Sequence, residues 1–558
     1  MSDNSKNGHE TIEETTTNHP KDMDRRLLLG GLAAATASMA IKAESKPSDK
    51  SRTSSDIDRL LKENIENIVV IYAENRSFNN LFGDFPGVKS PLSALPPTAF
   101  QQRDRDGSLL PYLPPIWGGL VPDTQIVEHQ HFHIGEKDLP RLPNAPFALR
   151  TANGDPLPAG VVTRDLVHAF YNNQLQINQG RNDGFVAWGD SGALVMGYYS
   201  DMPVNLRLWQ IAKEYTLCDN FFMGAFGGSF LNHQYLIAAQ PPFYPYANRS
   251  PSAGLIAQIE GNDPSGIRLK LKSSTAKTAL EGPAYFVDSC LTPDFYAVNT
   301  MLPPYAPSLN FDPEHPEKVA TQNPLVLVPQ HHATIGDRLT QKAINWAWYA
   351  GGWDAALKGK EDNSDFPQRP NFQFHHQPFN YFSNFAPDTE QRSLKLRDGG
   401  IGDTARSNKF IADIEADRLP QVAFYKPQGN LNMHAGYSDI ESGDRHIAKI
   451  IEALKASPRW DKMVIILTFD ENGGWWDHVA PPKGDRWGPG SRIPALIISP
   501  HAKKGTVDHT LYDTGSIIRF LTRRFDLVPL TGIATREQAI KKAGGPPLGD
   551  LTQALVFS

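Results

Sequence analysis

A chain of 558 residues with 40% hydrophobic side chains can bury a sizeable core, in one large domain or several small ones. A formal charge of −6 offers no basic field for tracking a phosphate backbone, which excludes nucleic acid as the main partner and makes any recognition of phosphate local. Forty-five prolines and 44 glycines without an internal repeat exclude a repeat scaffold and suit a site built from ordered loops between strands.

In chain order, polar residues lead to Asp24-Arg25-Arg26, after which residues 27–40 form an uncharged run of Leu, Gly, Ala, Ser, Thr and Met. This predicts a twin-arginine type export signal over 1–43, with Ser38-Met39-Ala40 as a small-residue cleavage site, and a periplasmic or secreted protein. The fourteen residues fall short of the roughly 20 that a membrane span needs, and the alternative is an uncleaved N-terminal anchor. A polar linker is expected over 44–60 and a single domain over 61–558.

The β-branched run at 65–72 follows a short helical pattern and reads as a buried central strand. It delivers Glu74-Asn75-Arg76-Ser77-Phe78, and in open α/β sheets ligands bind beyond the carboxyl ends of strands. Helical patterns at 206–215, 409–417 and 443–456 separate it from a second such run, 463–469, which ends in Asp470-Glu471-Asn472-Gly473-Gly474. A third strand is expected over 493–499. Strands alternating with helices predict an α/β fold with a mostly parallel sheet, and the proline-rich stretches 91–158 and 241–324 read as excursions that wall or lid a site. Cys218 and Cys290 are too few for a structural zinc site, and a disulfide and two separate thiols are both open.

Glu74-Asn75 is a hard-oxygen pair suited to a divalent cation, or else a cap for the following turn. Asp470-Glu471 places two charges at the end of an apolar strand, which is costly unless something positive neutralises them. His478, close behind, is expected within reach of the same centre. In Gly227-Gly228-Ser229, glycines allow close approach of a phosphoryl group, and a serine opening a helix is flanked by unpaired amide donors; the competing role for Ser229 is an N-cap. His168, the His375-His376 pair and His434 sit in aromatic and glycine-rich loops as candidate phosphate contacts and general acid. Lys426 is a candidate fixed positive charge.

Glu74-Asn75-Arg76-Ser77-Phe78 with Leu81-Phe82-Gly83, and Thr468-Phe469-Asp470-Glu471-Asn472-Gly473-Gly474 with Asp477-His478, resemble the two signatures of the bacterial phosphoesterase family of acid phosphatases and phospholipases C. Blocks at 168–184, 194–199, 226–240, 346–353 and 375–382 resemble its respiratory-burst-inhibiting acid phosphatase branch. The resemblance implies an alkaline-phosphatase-like fold and one divalent metal (calcium, magnesium, manganese or zinc) held by Glu74, Asn75, Ser229, Asp470 and Glu471. It also implies that His168, His376 and His434 lie near the phosphate, with His375 the ambiguous member of the doublet. Where the phospholipases often have histidine this chain has Asn472, and where they usually have threonine it has Ser229, which favours the phosphatase branch.

The expected chemistry is double displacement through a phosphoserine at Ser229, with protonated histidines favouring mildly acidic pH. The expected substrate is a phosphomonoester. One rival is a phospholipase C acting on a choline-type headgroup, for which Trp346-Ala347-Trp348-Tyr349 supplies candidate aromatics. The other is a non-catalytic periplasmic binding module, and a sulfatase lacks the Cys-x-Pro-x-Arg segment it needs.

Overall fold

The computed structural model describes residues 53–557 apart from 135–140, 152, 288, 309–313, 315–322 and 360–371. The expected export signal and the linker before residue 53 lie outside the described residues. The remainder of that linker is helical in part: α1 (Ser54–Asn64) opens on a capping box between Thr53 and Asp56.

Beyond α1 come β1 (Asn67–Ala73), α2 (Phe170–Ile177), α3 (Arg207–Glu214), β2 (Thr216–Cys218), α4 (Ser229–Ala238), β3 (Trp346–Gly351) and β4 (Leu396–Gly400). They are followed by α5 (Lys409–Glu415), β5 (Val422–Lys426), α6 (Ile440–Ala456), β6 (Met463–Phe469), β7 (Ala495–Ile498), β8 (Thr506–Asp508) and α7 (Gly515–Phe525). The eight strands form one sheet in the order β8-β2-β7-β6-β1-β5-β3-β4. Every residue of β1, β5 and β6 is buried, which explains why they are apolar apart from Asn67, Lys426 and Thr468 near their ends.

The expected α/β class holds: the sheet is mixed, mostly parallel and flanked by helices, with α3 and α5 packed on α6, and α1 and α4 on α7. β7 is the exception, running antiparallel to both β6 and β2. No helix lies between β6 and β7 to carry the chain back across the sheet, so β7 returns in the opposite direction. Cys218 is buried on β2, and no disulfide joins it to Cys290.

Candidate active site

Parallel pairing sets Ala73 of β1 beside Phe469 of β6, so the two acidic motifs leave adjacent strand ends. Glu74, Asn75, Asp470 and Glu471 are all fully buried. The backbone N–H groups of Asn75 (3.1 Å) and Glu471 (2.8 Å) both donate to Asp470 Oδ1, tying the motifs together. Asn75 adopts φ +57°, a left-handed conformation that Asn tolerates better than most side chains. Gly473 explains the tight turn opposite: at φ +61°, an added Cβ would lie 2.4 Å from the Asn75 carbonyl oxygen.

Ser229 begins α4 behind Gly228, and Gly228 occupies the N-cap, so Ser229 is not the cap. Its hydroxyl lies 3.3 Å from both Asn75 Oδ1 and Glu471 Oε1. A Cβ at Gly228 would meet the His168 carbonyl at 2.9 Å and its ring at 3.0 Å, so glycine is what lets His168 lie against the start of α4. Ser229, His168, His375 and His434 line a cavity of about 410 Å³ whose wall also carries Asp165 and Asp190.

The buried charges divide into two groups. Glu74 is paired with positive charge: Oε1 lies 2.6 Å from Lys426 Nζ and 2.7 Å from His376 Nε2, while Oε2 accepts from Asn432 Nδ2 and Tyr437 Oη (both 2.9 Å). Burial alone would raise its pKa, but Lys426 and His376 outweigh that and hold the carboxyl well below the usual range. The other pair lacks such compensation. Burial, reinforced by Glu74, pushes Asp470 up to about 6, and burial together with Asp470 pushes Glu471 up to about 8.

Asp470 Oδ2 is buried without a hydrogen-bond partner. Together with the oxygens of Asn75, Ser229 and Glu471, it makes an oxygen-rich set deficient in positive charge, and this donor set fits a hard divalent cation. Among the described residues three further groups could each hold a metal within 4.8 Å: Glu74 with His233 and Asp470, Glu74 with His375 and His376, and Asp165 with His168 and His434.

The profile of the Phosphoesterase family matches residues 65–528. The chain belongs to this family. The phosphoesterase is similar to phospholipase C B of Mycobacterium tuberculosis, 24% identical over 97% of this chain and 87% of that protein. It is also similar to non-hemolytic phospholipase C of Pseudomonas aeruginosa, 23% identical over 89% of this chain and 58% of that protein. A solved alkaline phosphatase superfamily protein from Vibrio parahaemolyticus overlays 62% of this chain and 64% of its own at 13% identity, but a TM-score of 0.28 carries no argument. Family membership makes the chain an ester-hydrolysing enzyme and rules against the non-catalytic module.

Within the phosphoesterase, the doublet is resolved: His375 lines the cavity, and His376 turns inward to Glu74. His434 also reaches the cavity, stacked on Tyr437 with ring centroids 4.2 Å apart. Burial pushes His375, His376 and His434 below their ordinary pKa, disfavouring their charged forms. His168 differs: burial opposes its charge, but Glu471 and Asp165 prevail and lift it to about 9. Of the four histidines expected near the phosphate, His168 is the one whose charged form its surroundings favour.

His478 does not join the centre. Its Nδ1 lies 2.9 Å from Asn79 Oδ1 and its Nε2 2.9 Å from Ser90 Oγ, beside a separate cavity. Trp346 and Trp348 are buried in the sheet and line no part of the active cavity, so they supply no headgroup cage. The sequence reading missed His233, one helical turn after Ser229, whose Nδ1 lies 2.7 Å from the Ser229 carbonyl and 3.8 Å from Asp470 Oδ2. Its i, i+4 spacing from Ser229 was the available signal. Asn432 and Tyr437, flanking His434, were missed as partners of Glu74.

Proposed function

We propose that the chain is an exported, metal-dependent phosphoric ester hydrolase acting through Ser229 on phosphodiesters of the phospholipase C type. The observation that carries this is the Ser229 hydroxyl at the opening of α4, 3.3 Å from Asn75 and Glu471, facing a cavity with charged His168 on its wall. Ser229 Oγ attacks phosphorus, and the unpaired N–H groups of the first turn of α4 favour the phosphoryl oxygens. Glu471 Oε1, 3.3 Å away, takes the serine proton while His168 gives its own to the leaving oxygen as the ester P–O bond breaks; water then releases the phosphoryl group, returning one proton to His168 while Glu471 returns the other to Ser229 Oγ. A divalent cation held by Asn75, Ser229, Asp470 and Glu471 would neutralise the carboxylate pair and draw charge from the serine oxygen.

The phospholipase reading is supported by the curated relatives that match nearly the whole chain, and by Asp165 and Asp190 on the cavity wall, which complement a cationic alcohol. The acid phosphatase reading on phosphomonoesters stands second. It is favoured by Ser229 in place of threonine and by the burial of Trp346 and Trp348 away from the cavity. Turnover of a chromogenic monoester and a phosphorylcholine ester across pH, beside Ser229→Ala and Asp470→Ala, tests both. Preference for the phosphorylcholine ester supports the phospholipase reading and preference for the monoester reverses the order, while undiminished activity in both variants overturns the site. Export through the Arg25-Arg26 segment predicts that Arg25→Lys/Arg26→Lys retains the protein inside the cell, read by fractionation.

A further inference from the structure

A second cavity, of about 510 Å³, lies where the backbone leaves the C-terminal end of α4. Pro241, Phe243, Pro245, Tyr296, Val328 and Pro329 form most of its wall, and among the described residues no Asp, Glu, Lys or Arg lines it. The polar members of the wall are engaged with the protein. The Gln330 side chain accepts from the Phe243 N–H at 2.8 Å and donates to the Phe243 and Val328 carbonyls at 3.0 and 2.8 Å. His331 Nδ1 lies 2.8 Å from Ser383 Oγ, and the His332 ring packs on Phe382 with centroids 4.9 Å apart. Burial pulls His332 down to about 4, so its ring is uncharged at neutral pH. The cavity is therefore apolar and uncharged, and Phe243, 41% exposed, stands at its mouth.

One segment supplies walls to both cavities. Residues 242–244 pair antiparallel with 295–297, through Tyr244 N–H to the Phe295 carbonyl (2.9 Å) and Ala297 N–H to the Pro242 carbonyl (2.8 Å). This sets the Phe243 and Tyr296 rings 5.1 Å apart. Three residues on, Asn299 belongs to the wall of the Ser229 cavity and accepts from the Phe170 N–H at 2.9 Å, two residues after His168. Three residues of backbone span at most about 11 Å, so the two linings are neighbours. Residues 375–382 make a second link, from His375 of the first cavity to Phe382, which pairs with Gln330 of the second. A third runs through rings: Tyr296 lies 5.1 Å from Trp487, and Trp487 lies 6.0 Å from Phe170. Arg486 covers Tyr296 and Trp487, but both oxygens of Asp294 hold it at 2.6 and 2.7 Å, so it adds little net charge. The ten residues of α4 separate Ser229 from the second cavity by about 15 Å.

We propose that this second cavity is the subsite for the aliphatic chain of the alcohol that leaves from phosphorus. The inference deepens the phospholipase reading and rests on it. The phosphate and a cationic group have their partners in the first cavity, at Ser229 and at Asp165 and Asp190, whereas hydrocarbon has none there and finds an apolar wall here. The direction also agrees: His168, which protonates the leaving oxygen, stands two residues before Phe170, where the line of rings to the second cavity begins. An extended alkyl chain of about twelve carbons covers the 15 Å of α4, so a shorter one ends before this wall and a longer one enters it.

The test is kcat/KM of the full-length protein on butyl, octyl and tetradecyl phosphorylcholine, each below its micelle concentration, beside Phe243→Ser and Pro245→Asp. Both positions are exposed and neither lines the Ser229 cavity, so the variants should fold and keep their chemistry. The butyl and octyl esters, which end short of the second cavity, should be cleaved alike by all three proteins. The tetradecyl ester should gain about tenfold in wild type, since each methylene buried against an apolar wall is worth up to about fourfold. Either variant should remove most of that gain. Equal values for the three esters, or a tetradecyl gain that both variants leave intact, overturns the proposal. The same alkyl groups as phosphate monoesters separate the two readings: a chain-length gain that the variants remove there, without turnover of any phosphorylcholine ester, rejects the phospholipase reading and leaves the chain subsite standing.

Discussion

Lys426→Met tests whether Glu74 depends on a single buried cation. Lys426 is fully buried with Nζ 2.6 Å from Glu74 Oε1 and 5.4 Å from the centre of the Tyr72 ring. Met preserves most of the stem and removes the charge, leaving a buried carboxylate with Asn432, Tyr437 and a His376 whose charged form burial disfavours. Breaking a buried pair from one side costs about 3–5 kcal/mol. At about 2.1 cal/mol/K per residue, some 500 folded residues have an unfolding entropy near 1 kcal/mol/K, so Tm should fall by about 3–5 °C. Adding Glu74→Gln removes the stranded charge and should recover part of that loss, giving a favourable coupling of about 1–3 kcal/mol in a double-mutant cycle. The assay is thermal unfolding of the four proteins, each measured in chelator. Equal Tm values for wild type and Lys426→Met, or purely additive losses in the double variant, would refute the reasoning.

The chelated protein should lose stability as pH rises from 6.5 to 8. Glu471 titrates at about 8 folded against 4.5 unfolded, and His168 at about 9 against 6.5, so the folded state holds more protons throughout that window. The expected loss is about 3 kcal/mol in urea titrations, and a cation should abolish the slope by replacing those protons. Manganese or calcium at about 100 times its Kd should stabilise the chelated wild type by about 2.7 kcal/mol and Asp470→Asn by far less, read as a shift in the urea midpoint. Gly228→Ala should lower both kcat and Tm, because its Cβ would lie 2.9 Å from the His168 carbonyl oxygen and 3.0 Å from its ring, displacing that backbone and the histidine. Gly473→Ala should destabilise by about 1–2 kcal/mol from the left-handed backbone alone, with more from the contact at Asn75, measured by thermal unfolding.

The strands that carry the site were legible because their chemistry is local. β1 and β6 are apolar on both faces and end abruptly in polar residues, which a parallel central strand must show. Their pairing was not legible: setting Ala73 beside Phe469 joins residues almost 400 positions apart, and no local pattern encodes that register. The antiparallel course of β7 was hidden for the same reason. His375 and His376 are adjacent in a short 3-10 turn that sends neighbouring side chains in different directions, so only the fold distinguishes the cavity histidine from the partner of Glu74. Lys426 ends an apolar strand much as a solvent-facing lysine would, and its burial follows from the neighbouring strands that enclose it.

The two acidic pairs look equivalent in sequence but are electrostatically opposite in the fold. At the Glu74 end one carboxylate meets four donors, one of them an ammonium group, and its charge is locally balanced. At the Asp470-Glu471 end two acidic side chains have His168, 3.7 Å from Glu471, as their nearby cationic partner, with no ammonium group in contact. A divalent cation held by Asn75, Ser229, Asp470 and Glu471, as proposed above, would sit at this second end, the end that touches the Ser229 hydroxyl. On that proposal Lys426 would act on the nucleophile at a distance: by pairing with Glu74 it would remove a competing anionic position and leave positive charge to the side of the site where the serine stands. Without that lysine, Glu74 would compete for the cation, and the charge would be shared with a position that does not touch the nucleophile.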